Sequence, residues 1–474
     1  MSVKRSADLE TAAQAALDAA ARTGETQWAA LQAEISPCDV LAAFEASESY
    51  DRFYWERPSE GRSIAALGCA EEIATAGEGR FAESSERSKR IFERLHVSGQ
   101  EAPASAGPFL VGGFAFASAA SSEPHWREFP AGRLVLPKIT IVVSGGRGWC
   151  TLVRPVEVAS SGISARTICD ELLACLDDVR RSLANCSAVD AASEESEASL
   201  CDETCADQAH AEYCAQVEAA LSEIAAGGFE KVVLARSISV REQHDYDPCA
   251  LLRALRRAHP SCAIFAVARP GVVFLGATPE CLVRLADSRV ETASVAGSAP
   301  RGRTPEEDLE LGRQLRESKK EQGEHAFVVR ALCDALAPHC DALEVRESPR
   351  LMRLQDIQHL ETPITGHLRA RSSILEVLGS VHPTPAIAGA PREAALEWLN
   401  CNERLDRGWY SGPVGFADAE GGGEFYAALR SAVLCGNEAR LFAGAGVVDG
   451  SEPEGELRET QLKLRAMLAP LMEI

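Results

Sequence analysis

Two periods of apolar and polar residues alternate along the chain, and each predicts a different kind of element. Residues 6–22 are Ala-rich and helical by propensity, 168–183 read as an amphipathic helix, and 210–226, 305–317 and 321–336 read as three more. Short apolar runs punctuated by Gly and Pro predict strands. The run 53–68 is an aromatic strand, a turn and a second strand; 108–116 carries a Gly pair; 134–143 and 149–153 form a hairpin around Gly145, Gly146 and Gly148. Further strands are expected over 231–240, 262–268, 272–276, 281–285 and 290–295. Residues 188–207 break the pattern, being rich in Ser, Ala and acids, and they predict a mobile loop. That loop divides residues 1–207 from residues 208–474, and no internal repeat relates the two. Strand clusters of antiparallel character with helices outside them argue for an α+β fold.

The richest pattern lies between Glu424 and Leu471. E-F-Y-A-A-L-R-S-A-V-L and A-R-L-F-A-G-A-G-V-V read as paired strands over 425–434 and 441–448. Arg430 interrupts the first, and a strand-borne Arg is costly to bury unless an anion meets it. Gly444 and Gly446 flank Ala445 and let the backbone approach a ligand closely. Ser451 is expected to cap a helix opened by Pro453 and Glu454. On that helix Leu457, Gln461, Leu464, Leu468 and Leu471 share a packing face at about 100° per residue, and Glu456, Glu459 and Lys463 share an adjacent one. A Glu and a Lys four apart also suit a solvated surface. Beside a Gly-rich strand end and Arg430, they suggest cations and backbone amides facing an anion, with carboxylates for a divalent metal.

Composition narrows the partners. Among 474 residues, 70 Asp and Glu outweigh 48 Lys and Arg, for a net charge of −22. That balance argues against nucleic acid and anionic membranes as partners. An anionic substrate has to be drawn in by local cations against the overall field. The 16 Cys are scattered with no C-x-x-C pair, which disfavours zinc, redox motifs and a disulfide scaffold. The first residues, M-S-V-K-R-S-A-D-L-E, lack the apolar core of a signal peptide, and no run reaches about 20 apolar residues. A reduced, soluble, cytoplasmic protein is expected.

Three polar residues stand in apolar settings. Lys231 opens the strand K-V-V-L-A-R; a strand-edge Lys is ordinarily solvated, whereas one with a pKa lowered by desolvation serves as a general base. Glu280, in F-L-G-A-T-P-E-C-L-V, is either an exposed turn carboxylate after Pro279 or an acid with a raised pKa between two apolar strands. Glu324 shares a helical face with Val328, Ala331 and Ala335, so its carboxylate wants a cation unless it answers the helix dipole in the first turn.

These motifs, in this order from about Ala209 to the C-terminus, resemble the chorismate-binding enzymes, which include isochorismate, salicylate, anthranilate and aminodeoxychorismate synthases. The text at 53–68 and 108–116 is more weakly similar to isochorismate synthases. The resemblance implies a fold of the anthranilate synthase component I type, two large antiparallel sheets packed face to face with helices outside. It implies Lys231 as the base that activates water and Glu280 as the acid that protonates the departing hydroxyl. It implies Mg2+ held by Glu324 and Glu459, with Glu456 close by or acting through a water. His359 in Q-H-L-E-T and Thr384 in H-P-T-P-A would line the ring pocket. Tyr410 and Arg430 would hold the carboxylate of the enolpyruvyl arm, with the backbone of Ala445 and Gly446 on the same arm and Lys463 nearby. Gly297 and Ser298 in V-A-G-S would approach the ring carboxylate.

Two departures choose among the members. Ala296 stands where aminodeoxychorismate synthases carry a nucleophilic Lys, and the N-terminal region has no L-L-E-S segment of the tryptophan-sensing kind. The expected activity is a magnesium-dependent conversion of chorismate to isochorismate by a monomer without a glutaminase partner. D-R-G-W-Y-S-G-P-V-G-F and L-F-A-G-A-G-V-V-D-G-S-E-P-E favour the menaquinone-pathway type over the siderophore type. Salicylate synthase, which adds pyruvate elimination, is the alternative enzyme, ahead of anthranilate synthase component I. An inactive chorismate-binding protein is the alternative of another class.

Overall fold

The computed structural model describes every residue except 1–2, 48–50, 100–101, 158–161, 187–198, 201–202 and 370–371. Among the described residues, helices lie outside two large sheets, one of 13 strands and one of 10. Pairing is antiparallel apart from Gln27–Ile35 with Leu95–Ser98, so the expected α+β architecture is found. Trp55 and Phe265 of the larger sheet share one buried cluster with Val111 and Phe416 of the smaller, which is face-to-face packing. Strands from early and late in the chain alternate within each sheet. Arg52–Arg57 pairs with Ala263–Arg269 in the larger, and Phe109–Phe114 with Pro413–Asp418 in the smaller. No described helix is long and apolar enough to cross a membrane.

The strand expected over 425–434 is in fact two strands in different sheets. Gly423–Ala427 belongs to the smaller sheet and Ser431–Cys435 to the larger. The break falls at Arg430, whose φ of 46° is left-handed, a conformation that no strand continues. A second crossing lies at Pro279–Glu280, between Val272–Thr278 of the larger sheet and Cys281–Ala286 of the smaller. The two corners are bonded together: Ala277 N–H donates to the Arg430 carbonyl at 3.0 Å, and Ala427 N–H to the Glu280 carbonyl at 3.0 Å. A side chain at such a corner is held between the sheets without having to fit either face. The run 134–143 is divided in the same way, into Gly132–Leu136 and Ile139–Ser144.

Three local expectations shift. Of the loop expected over 188–207, residues 188–198, 201 and 202 lie outside the described residues. Ser199–Leu200 pairs with Lys231–Arg241, and the next helix is Glu203–Ala225, so the described part of 199–207 holds regular structure rather than a loop. The last helix, Pro453–Met472, has Glu452 rather than Ser451 at its N-cap and no side-chain cap. Ser451 Oγ instead accepts from the Val448 N–H at 3.1 Å, closing the turn after the strand. Its buried face carries Glu456, Thr460, Leu464, Met467 and Leu471, so Glu456 points inward with the packing residues. In Lys319–Leu336 the inward stripe is His325, Val328, Leu332 and Leu336, and Glu324 lies at its flank.

Candidate active site

The two corners, the start of Lys231–Arg241, the end of Glu438–Val448 and the helices Lys319–Leu336 and Pro453–Met472 enclose one cavity. Lys231, Glu280, Gly297, Ser298, Glu324, His359, Tyr410, Arg430, Gly446, Glu459 and Lys463 all line it. Lys231 and Lys463, 232 positions apart in the chain, thus line the same cavity. Thr384, Ala445 and Glu456 do not line it.

Lys231 is 1% exposed, and its Nζ donates to Glu324 Oε1 at 2.7 Å. Gly446 makes room for this pair: a Cβ there would meet Glu324 Oε1 at 2.9 Å and Lys231 Cε at 3.0 Å. The backbone around it alternates. Val233, opposite Gly446, donates its N–H to Ala388 O and accepts from Arg407 at its carbonyl, both away from Glu438–Val448. By the alternation of an antiparallel ladder, Gly446 and Gly444 turn their backbone groups away from Lys231–Arg241, and Ala445 turns its own toward Leu234. Gly444 O accordingly accepts from Lys463 Nζ at 2.9 Å. Ala445 is fully buried with its N–H on the ladder, so an N–H for a bound anion comes from Gly446 alone of the two.

Glu280 is 6% exposed at its corner, and burial pushes its carboxyl up to about 7 against the opposing pull of Lys231 and Lys463. Thr384 stands behind it, with Oγ1 3.5 Å from Oε1. Across the cavity Arg430 is buried without a salt bridge among the described residues, and its Nη2 lies 3.1 Å from His359 Nε2. His359 Nδ1 is 3.2 Å from Gly297 O and 3.1 Å from Ser298 Oγ. Gly297, with φ of 77°, forms the bulge that shifts the register between Ala296 and Ser298. Tyr410 stacks on Phe442 at 5.2 Å between centroids, and both face the cavity.

Sequence reading missed two contributors. The first is Arg407, buried beside the cavity and paired with Glu403 at 2.7 Å. Its guanidinium also reaches Val233 O at 2.6 Å and Ile387 O at 2.7 Å, tying three walls together. The second is Glu321, whose Oε2 accepts from the Ser298 N–H at 3.1 Å. Its signal was present as E-x-x-E with Glu324, the same spacing as Glu456 and Glu459.

These four carboxylates act on one another. Burial, then Glu324 and Glu459, raise Glu321 to about 7. Burial, then Glu459, raise Glu456. Burial also pushes Glu459 up, but Lys463, Lys320 and Ser298 more than reverse it and leave it below the usual value. Lys463 Nζ sits 2.7 Å from Glu459 Oε1. Among the described residues no three acidic, His or Cys groups converge into a closed ligand cage. An all-oxygen set with mutual repulsion still fits a hard divalent ion such as magnesium, which keeps several waters and needs few direct protein ligands.

The whole chain has close relatives. Residues 13–472 match the family model described as "Chorismate binding enzyme". The salicylate biosynthesis isochorismate synthase of Pseudomonas aeruginosa is 39% identical over 93% of this chain and 89% of its own length. The isochorismate synthase MenF of Bacillus subtilis is 31% identical over 92% of each. The crystal structure of the menaquinone-specific isochorismate synthase MenF from Escherichia coli superposes with a TM-score of 0.76 at 25% identity, covering 98% of this chain and all of that one. With its corners, its paired E-x-x-E helices and a family match along nearly its full length, the chain belongs to the chorismate-binding enzymes.

Proposed function

We propose that this protein converts chorismate to isochorismate, with water adding at ring C2 and the C4 hydroxyl leaving. The observation that carries this reading is a buried Lys231 and a buried, protonatable Glu280 lining one cavity that Arg430, Lys463, Glu324 and Glu459 also line. Lys231 takes a proton from the attacking water, and Glu280 gives its proton to the departing hydroxyl, so one water enters and one leaves. In this structure Lys231 Nζ donates to Glu324, so accepting a proton from water calls for Glu324 to be engaged elsewhere. Arg430, Tyr410 and the Gly446 N–H suit the carboxylate of the enolpyruvyl arm, and the Gly297–Ser298 bulge suits the ring carboxylate. Glu324 and Glu459 would hold magnesium, with Glu321 and Glu456 beside them; when bound it supplies positive charge for the ring carboxylate. Ala296 supplies no amine nucleophile.

The protein acts as a cytoplasmic monomer and, using water, has no need of a glutaminase partner. The menaquinone pathway is supported by the likeness to both MenF proteins. A second reading, supply of isochorismate to a salicylate pathway, is favoured by the 39% identity to the P. aeruginosa enzyme. Incubating the enzyme with chorismate and magnesium, with mass-resolved detection of products, tests the reaction, which both pathways share. Isochorismate alone supports the reading; salicylate with pyruvate, or anthranilate when ammonium is supplied, overturns it.

A further inference from the structure

We propose that His359 is a positioning residue that works as a neutral imidazole protonated at Nδ1, its bare Nε2 aiming Arg430 at the substrate. The proposal rests on the reading of the site as a chorismate pocket, and it changes the part His359 plays there from lining the ring to orienting a cation.

Two neighbours fix the tautomer independently. A guanidinium only donates hydrogen bonds, so Arg430 Nη2 at 3.1 Å requires a lone pair on Nε2. A carbonyl only accepts, so Gly297 O at 3.2 Å requires the proton on Nδ1. Ser298 Oγ, 3.1 Å from the same nitrogen, is compatible with that proton. A second proton on the ring would set an N–H against the guanidinium. Burial, with Arg430 and Lys463 adding to it, holds the imidazole well below its ordinary range.

Arg430 needs such a guide. Its backbone is left-handed at the corner, it is 8% exposed, and it makes no salt bridge among the described residues. A buried cation without a counter-ion is costly, and Arg430 lines the cavity, where a bound anion offsets that cost. Through one ring, His359 links the Gly297–Ser298 bulge to the Arg430 corner, so the two anion-binding features keep a fixed spacing.

Two substitutions separate the two ring nitrogens. The amide oxygen of His359→Gln reaches the place of Nε2 and accepts from Arg430. The amide of His359→Asn sits at the place of Nδ1, keeps the Gly297 contact and leaves Arg430 without its acceptor. With magnesium fixed, His359→Asn is expected to raise the Kd and KM of chorismate by about tenfold, with a smaller change in kcat. His359→Gln is expected to stay within about threefold. Nitrogen-15 NMR of histidine-labelled wild type, with His359 identified by the signals that either variant loses, should show a protonated Nδ1 and a bare Nε2 from about pH 6 to 8. Equal Kd in the two variants, or a ring protonated at Nε2, overturns the proposal. A wild type that binds no chorismate overturns the functional reading instead, and the NMR result still decides the tautomer.

Discussion

Glu280 carries the clearest pH signature of any single group in the cavity. Its carboxyl sits near 7 against an ordinary 4.5, chiefly through burial. The proton it donates is therefore in place below about pH 7 and lost above it, so kcat should decline on the alkaline side. Glu280→Gln should bind chorismate nearly as wild type does and turn over at least about 100-fold more slowly. Stability follows the same linkage. A raised folded pKa means a contribution fully present below 4.5 and lost as pH rises through 7, so Glu280→Gln should flatten the fall in stability across that window. Near-normal kcat in the variant, or an unchanged pH profile, removes Glu280 as the acid. Lys231→Gln keeps a polar side chain of similar reach and should lower kcat by about 100-fold or more, with little change in chorismate affinity. An unchanged kcat would refute the role of base.

At the level of elements, the site is made by two sheet-crossing corners and two helices, Lys319–Leu336 and Pro453–Met472. The Gly446 position is set by sterics rather than by φ. Gly446→Ala would drive a methyl against Glu324 Oε1 and Lys231, and kcat should fall by about tenfold with only a modest drop in thermal midpoint. An unaffected kcat would show that the pair tolerates displacement. The paired E-x-x-E helices carry the metal reading: EDTA should stop turnover, and Glu324→Gln or Glu459→Gln should abolish it while leaving the fold intact. Full activity in EDTA contradicts it.

Lys231 and Glu280 were legible as polar residues beside apolar strands, though solvation at a strand edge or turn explained them equally well, and the roles of Glu324 and Lys463 came from the family resemblance rather than from their local pattern. The corners were not legible. The run 425–434 is apolar apart from Arg430 and Ser431, and that interruption reads equally as a polar residue within one strand and as the change of sheet it marks. Glu321 escaped notice because a first-turn Glu is what any helix start favours. The inward turn of Glu456 escaped because a 3.6-residue period tolerates a rotation of one position when both candidate faces carry Leu.

Over the whole molecule, the two sheets place strands from early and late in the chain side by side, so the cavity depends on the complete fold rather than on the motif-bearing half. A net charge of −22 leaves the local cations Arg430 and Lys463 to receive a dianionic substrate. The central claim is that this molecule uses water as its nucleophile on chorismate. The direct measurement is turnover of chorismate with magnesium and ammonium in oxygen-18 water, read by mass spectrometry. Isochorismate carrying one oxygen-18 at the ring hydroxyl, with no anthranilate, is the expected result. Unlabelled isochorismate, or anthranilate formed from the ammonium, would contradict it.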